Sequence, residues 1–159
     1  MIEIKEEMQI NINPFIEKIK CILSWTRKKV ELNEIYFKRK EENKKPYALM
    51  GDIYYAYLGI NIGAEIDKGR PVLIFQNNDR YLRQSNMIFI IPITSNIKPS
   101  PYKVFIKSED IIENDNIKNS SILIQQARTV SKNRLHKYIG HLSDEKIKEV
   151  ALILNKLFY

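Results

Sequence analysis

From residue 51 to residue 125 the chain keeps making short apolar runs that stop before a helix could close around them. The runs GDIYYAYLG, GRPVLIFQNN, NMIFIIPITSN and SSILIQ are β-branched or aromatic at their centres and end in glycine, proline or polar side chains. Short runs of this composition, separated by turn residues, fit buried strands of a small sheet rather than helices. The spacing predicts strands near residues 53–58, 72–75, 87–91, 102–106 and 121–125, the fourth at an edge because Pro99 and Pro101 precede it. Residues 59–69 and 77–86 read as polar loops, and 109–119 as an acidic loop with room for a helical turn. Residues 130–135 fit either strand or turn, with residues 132–134 placed on a turn. A small β-barrel is the architecture these runs favour.

Helical patterns flank the β region. Asn13 is placed to cap a helix and Pro14 to occupy its first position, where a missing N–H costs nothing. Phe15, Ile16, Ile19, Ile22, Leu23 and Thr26 then fall on one face, expected to pack on the barrel or on a second copy. The charged run at residues 38–46 ends in Pro46 and fits a linker or a solvated helix end. The expected division is a helical extension over residues 1–45 and a barrel domain over residues 46–159. Ser143 caps the last element, with Asp144 and Glu145 in its first turn and an apolar stripe of Ile147, Val150, Ala151, Leu154 and Phe158.

The formal net charge is +7 over 159 residues, which favours a polyanionic or acidic partner. The same Lys-, Ile- and Asn-rich composition arises in A/T-rich genomes, so charge alone does not separate the two explanations. Cys21 is the only cysteine, which excludes an internal disulfide framework and a cysteine-based zinc site. The acidic N-terminus lacks a signal-peptide pattern, and the longest apolar run, residues 87–93, is far below membrane-spanning length. A reducing cytoplasm is the expected compartment.

Little of the sequence has the form of familiar catalytic motifs. There is no H-E-x-x-H, no Gly-rich phosphate loop and no G-x-S-x-G, so neither metal nor cofactor is expected. His136 and His141 have the chemistry of a general acid and base, but sit beside a turn and a helix start, where surface contacts are the ordinary explanation. Arg70 lies between Gly69 and Pro71 where a loop enters a strand; a guanidinium there suits phosphate oxygens, or a surface ion pair. Thr94 ends another strand and suits either a local cap or a ligand contact.

The order of several strings is more informative than any one of them. Gly51-Asp52-Ile53 is followed by Gly63-Ala64-Glu65, Gly69-Arg70-Pro71-Val72, Gln76-Asn77 and Pro92-Ile93-Thr94-Ser95. Gln126-Ala127-Arg128-Thr129, Lys132-Asn133-Arg134-Leu135 and Ile139-Gly140-His141-Leu142-Ser143 complete the series. In this order, across residues 50–157, the chain resembles the MazF/PemK toxin family, to which Kid also belongs.

That resemblance implies an α+β, mainly β fold: a small MazF/CcdB-like barrel with a C-terminal helix, here preceded by a helical extension. It implies a homodimer, and metal-independent, sequence-selective cleavage of single-stranded RNA to a cyclic phosphate and a 5′-hydroxyl. It implies Arg70 and Thr94 as catalytic residues, with Glu65, Gly69, Gln76, Asn77 and Ser95 as substrate contacts. It also implies an acidic, partly disordered antitoxin that displaces the 59–69 loop or blocks Arg70. Two departures stand out. Ile66-Asp67-Lys68-Gly69 replaces the family's Gln-Gly-Gly, and short family members lack residues 1–45. The gyrase-poisoning relative CcdB shares the fold, so a non-catalytic barrel that inhibits a topoisomerase or another target is the alternative.

Overall fold

The computed structural model describes residues 2–113 and 116–159, with residues 2–12 described by their backbone alone. Helix α1 (Ile2–Glu41) precedes β1 (Asp52–Tyr57), β2 (Gly69–Ile74), α2 (Arg80–Gln84), β3 (Met87–Thr94) and β4 (Lys103–Ile106). The chain continues through β5 (Ile111–Ile112), β6 (Ser120–Leu123), β7 (Arg128–Ser131) and β8 (Leu135–Leu142) to α3 (Asp144–Phe158). The strands form one curled antiparallel sheet in the order β4-β6-β3-β2-β1-β8-β5, with β7 also paired to β3. The long β3 makes the curl possible: its first half pairs with β7 and its last residues with β6. The sheet path ends at β4 and β5, so the barrel is half open, and β4 is an edge strand as its prolines predict.

Both faces of the central strands are buried, and alternation decides which residue goes where. Ile53, Leu73, Ile91 and Ile93 enter one cluster with Val104, Ile122, Leu142 and Val150 of α3. Ala56, Val72, Ile74, Ile88 and Ile90 enter the other, with Leu58, Val130 and Leu135. This explains why β2 and β3 read as continuous apolar runs.

Several local expectations change. Asn13 and Pro14 do not start the helix but lie inside α1, about 60 Å long at 1.5 Å per residue. The preceding Glu, Lys, Met and Gln residues are strong helix formers and carry the helix through the bond that Pro14 cannot donate. The helix ends in a Schellman turn: Asn43 has φ 51°, Lys44 N–H donates to Arg39 C=O at 2.8 Å and Asn43 N–H to Lys40 C=O at 3.2 Å.

The apolar stripe of α1 does not lie against its own barrel. Phe15 and Leu23 are each 66% exposed, and Ile16, Ile19 and Ile22 are exposed as well. The helix instead docks through Lys18, Cys21, Trp25, Lys28, Leu32, Tyr36 and Arg39, spaced three and four apart. Arg39 donates to Asn133 Oδ1 at 2.9 Å, the Arg134 guanidinium lies 5.8 Å from the centroid of the Trp25 ring, and Lys28 lies 4.7 Å from that of Tyr57.

The 77–86 loop holds α2, capped by Asp79 Oδ1 accepting from Leu82 N–H at 2.9 Å. The last strand, β8, was not foreseen: its exposed His136, Lys137 and Tyr138 hide the β pattern between Leu135 and Ile139. Ser143 stands at the N-cap of α3 without a side-chain capping bond, and α3 packs through Ile147, Val150, Ile153, Leu154 and Leu157 rather than through Ala151 and Phe158.

Ile91 is fully buried in β3, the strand paired on both sides. Replacing it with alanine removes buried methylene groups and leaves a cavity. Urea denaturation of Ile91→Ala is expected to show a loss of about 2–5 kcal/mol.

Candidate active site

Arg70 and Thr94 lie just beyond the paired stretch of β2 and β3. The two strands pair as Val72↔Pro92, Leu73↔Ile91 and Ile74↔Ile90. The recorded pairing stops there; Arg70 pairs with Ala56 of β1 and Thr94 with Ser121 of β6, and the β2–β3 register extended by two residues is the one that would match Arg70 to Thr94. Directly opposed residues of antiparallel strands project from the same face with Cβ atoms about 5 Å apart. By parity that is the face of Val72, Ile74, Ile88 and Ile90. Arg128 of β7 lies opposite Ile90 and shares it.

The donors of this site are partly committed. Arg70 is half-buried, and its Nε donates to Asp67 C=O at 2.9 Å, which leaves the two terminal nitrogens as a free fork. Thr94 Oγ1 accepts from Asn96 N–H at 3.2 Å, so its hydroxyl proton remains available for another acceptor. Ser95 is exposed beside it. Gly69 lies against the Tyr55 ring, where any Cβ would overlap the phenol.

The 59–69 loop is tied down by polar bonds from several elements. Arg128 donates to Ile66 C=O at 2.6 Å. Gln126 accepts from Ile66 N–H at 3.1 Å and donates to Ala64 C=O at 3.3 Å. Glu65 accepts from Ile62 N–H at 3.2 Å within the loop. Arg134 donates to Tyr57 C=O at 3.0 Å at the loop's base. Lys18 of α1 reaches Asp67 at 3.0 Å. Burial pushes the Arg128 guanidinium below its usual range; the Glu65 carboxylate raises it, and the charges of Arg134 and Arg70 lower it. Burial lowers Arg134 as well. Three arginines and one carboxylate therefore crowd one face of the sheet beneath a pinned loop.

Other expected contacts lie elsewhere. Gln76 and Asn77 follow the far end of β2, about 20 Å along the strand from Arg70. Gln76 accepts from Phe89 N–H at 3.0 Å and Asn77 from Asp79 N–H at 3.1 Å, so both serve local backbone there. His141 Nδ1 lies 3.0 Å from Asp52 Oδ1, at the end of β1 remote from Gly69. His136 is exposed, its ring centroid 5.5 Å from that of Tyr57.

Sequence reasoning left Gln126, Arg128 and Arg134 out of the site, although their strings were noted. Lys132 of the same string serves the fold: it is 1% exposed and donates to Leu82 and Arg83 C=O at 3.2 and 2.8 Å. Among the described residues, no three His, Cys, Asp or Glu side chains gather where they could hold a metal ion, and no helix is long and apolar enough to cross a membrane.

A family model described as PemK-like, MazF-like toxin of type II toxin-antitoxin system matches residues 50–158. The chain belongs to this family. Endoribonuclease MazF of Staphylococcus saprophyticus is 36% identical over 103 residues, covering 63% of this chain and 82% of that protein. The fold agrees with solved structures of the family. MazF (Form-I) from Deinococcus radiodurans superposes with a TM-score of 0.61 at 18% identity, covering 71% of this chain and 97% of that one. A mycobacterial endoribonuclease in complex with its cognate antitoxin gives 0.51 at 18% identity, covering 69% and 92%. The matched residues begin after α1, which ends at Glu41.

Arg128 holds the loop through a single guanidinium bond to Ile66 C=O. Arg128→Lys keeps the charge but loses the planar fork. Amides of residues 61–68 are expected to exchange hydrogen about tenfold faster, with β3 amides unchanged. Equal protection in both proteins would show that Arg128 does not restrain the loop.

Proposed function

We propose that this chain is the toxin of a type II toxin-antitoxin system and acts as a sequence-selective endoribonuclease on single-stranded RNA. The position of Arg70 and Thr94 two residues beyond the paired Val72↔Pro92 supports this reading, because a permanent cation and a hydroxyl at neighbouring strand ends suit one phosphodiester.

In the proposed reaction the RNA 2′-oxygen attacks the adjacent phosphorus and the P–O5′ bond breaks. The 2′-hydroxyl proton passes to solvent water and a proton from solvent water reaches the departing 5′-oxygen, with Arg70 proposed to assist the transfer, leaving a cyclic phosphate and a 5′-hydroxyl. Negative charge builds on the phosphoryl oxygens as the transition state forms. The free fork of Arg70 stabilises that charge in a site where fixed donors need no reorganisation. Thr94 donates to a phosphoryl oxygen and helps hold the in-line geometry. This scheme uses side chains and solvent water alone, so cleavage is proposed to be independent of metal. Glu65, Gly69 and Ser95 lie on the loop and strand ends beside Arg70 and Thr94 and are proposed substrate contacts. Gln76 and Asn77 are proposed to contact substrate only where the strand is approached from its other end.

Residues 46–159 form the proposed catalytic unit and residues 1–45 the addition to it. The working form is proposed to be a cytoplasmic homodimer, held inactive by an acidic antitoxin segment. A net charge of +7 favours such a partner.

Purified protein is expected to cleave mixed-sequence RNA in EDTA. Arg70→Ala and Thr94→Ala are expected to remain folded and to lose at least about 10²-fold in cleavage rate. Intact RNA under all conditions, or unchanged rates in folded variants, would sink the reading. An acidic antitoxin peptide is expected to compete with an uncleavable RNA analogue and to bind more weakly as salt rises. Independent, simultaneous binding of the two would place inhibition elsewhere.

A further inference from the structure

The docking face of α1 does not close flush against the barrel. Between α1 and the end of the 59–69 loop lies a cavity of about 490 Å³, within the range of about 300–1,000 Å³ typical of small-ligand sites. Trp25 and Tyr57 give it aromatic walls, Lys20, Lys28 and Lys68 bring positive charge, and Gly69 forms the end next to Arg70. Among the described residues, no acidic side chain lines it. We propose that this groove is a subsite for an unpaired nucleotide of the RNA substrate, with its base against Trp25 and its phosphate near Lys68. The proposal rests on the endoribonuclease reading and assigns the N-terminal extension a direct part in binding substrate.

The chemistry of the lining selects this ligand. Single-stranded nucleic acid is bound sequence-tolerantly by aromatic rings on which bases stack and by cations that follow the backbone. Trp25 is held in place: the Arg134 guanidinium sits 5.8 Å from its ring centroid, and Gly59 passes close enough that a Cβ there would lie 3.5 Å from the indole. Tyr57 is bracketed by the Tyr55 ring at 5.8 Å and by Lys28 at 4.7 Å between centroid and Nζ. Two of the lysines are tethered by ion pairs, Lys20 to Glu17 at 2.6 Å in an exposed pair and Lys28 to Glu31 at 2.7 Å in a half-buried one. The exposed pair exchanges readily for a phosphate. Lys68 is exposed at the loop end, in a left-handed conformation with φ 64°.

Position supports the same assignment. Gly69 lines the groove and is the chain neighbour of Arg70 at the start of β2, so the groove opens at the strand end that carries Arg70. Lys18, one turn before the groove on α1, bonds Asp67, whose carbonyl fixes Arg70 Nε. The extension thus builds the groove wall and braces the loop that orients the catalytic cation.

Trp25 is the only tryptophan in the chain, so all tryptophan emission comes from the wall of this groove. The probe is a labelled, 2′-O-methylated mixed-sequence oligonucleotide that cannot be cleaved. Binding followed by anisotropy is expected to coincide with quenching of Trp25 emission. Trp25→Ala is expected to weaken binding by about tenfold or more, and Trp25→Phe to recover most of the loss. Lys68→Gln is expected to reduce the slope of log affinity against log salt by about 0.7. Binding with unchanged emission, and an unchanged salt slope in Lys68→Gln, would remove RNA from the groove. Quenching by a polyglutamate peptide but not by the oligonucleotide would assign it to an acidic protein segment instead. Quenching and binding without cleavage of natural RNA would keep the subsite and overturn the ribonuclease reading. No oligonucleotide binding at all would overturn both.

Discussion

Everything near the candidate site depends on the register between β2 and β3. A strand has a side-chain period of two, so a slip of one residue would move every side chain to the opposite face. Here Leu73, Ile91 and Ile93 are buried in one cluster while Val72, Ile74, Ile88 and Ile90 are buried in the other. With both faces filled, no slipped register satisfies either core. The packing that fixes those apolar residues also fixes where the strands end, and hence puts Arg70 and Thr94 at neighbouring strand ends. The hydrophobic effect does not act on the site residues directly, yet it places them.

The loop above the site depends on a different force. Few apolar contacts hold residues 59–69, and the restraint comes from Gln126, Arg128, Arg134 and Lys18 acting mainly on backbone carbonyls. A loop held on a rigid sheet is a common place for ligand contacts. Its conformation here carries several constraints together: Gly59 adopts φ +107°, Lys68 is left-handed, and Gly69 leaves space for Tyr55. Ile66-Asp67-Lys68 in place of the family's Gln-Gly gives this loop a carboxylate for α1 to grip and a cation at the groove. The departure from the family pattern and the added helix are therefore structurally connected.

The helix shows where pattern reading misleads. Its most apolar stripe includes Phe15, Ile19 and Leu23, and a hydrophobicity argument assigns that face to the barrel or to a second copy; in the single chain it does not meet the barrel. The barrel instead meets Trp25, Lys28 and Arg39, because its own surface there presents Tyr57, Asn133, Arg134 and the Asp67 carboxylate. A partly polar surface is matched by side chains with an apolar body and a polar tip. Periodicity identifies the faces of a helix, but the surface opposite decides which face docks. The same limit hid β8, whose exposed His136, Lys137 and Tyr138 break the apolar alternation although its backbone completes β1.

The sequence by itself determined the helix–barrel–helix order, the central strands and the family, because apolar period, turn residues and ordered motifs are local and survive without coordinates. It also singled out Arg70 and Thr94 as residues of unusual placement. Tertiary structure decided their common face, the separation of Gln76 and Asn77 from them, and the gathering of Arg128 and Arg134 beneath the loop. It also created the groove lined by Trp25 and Lys68, residues 43 positions apart in the chain. These features join segments distant in sequence, and one-dimensional patterns record what each segment prefers, not which surface it will meet.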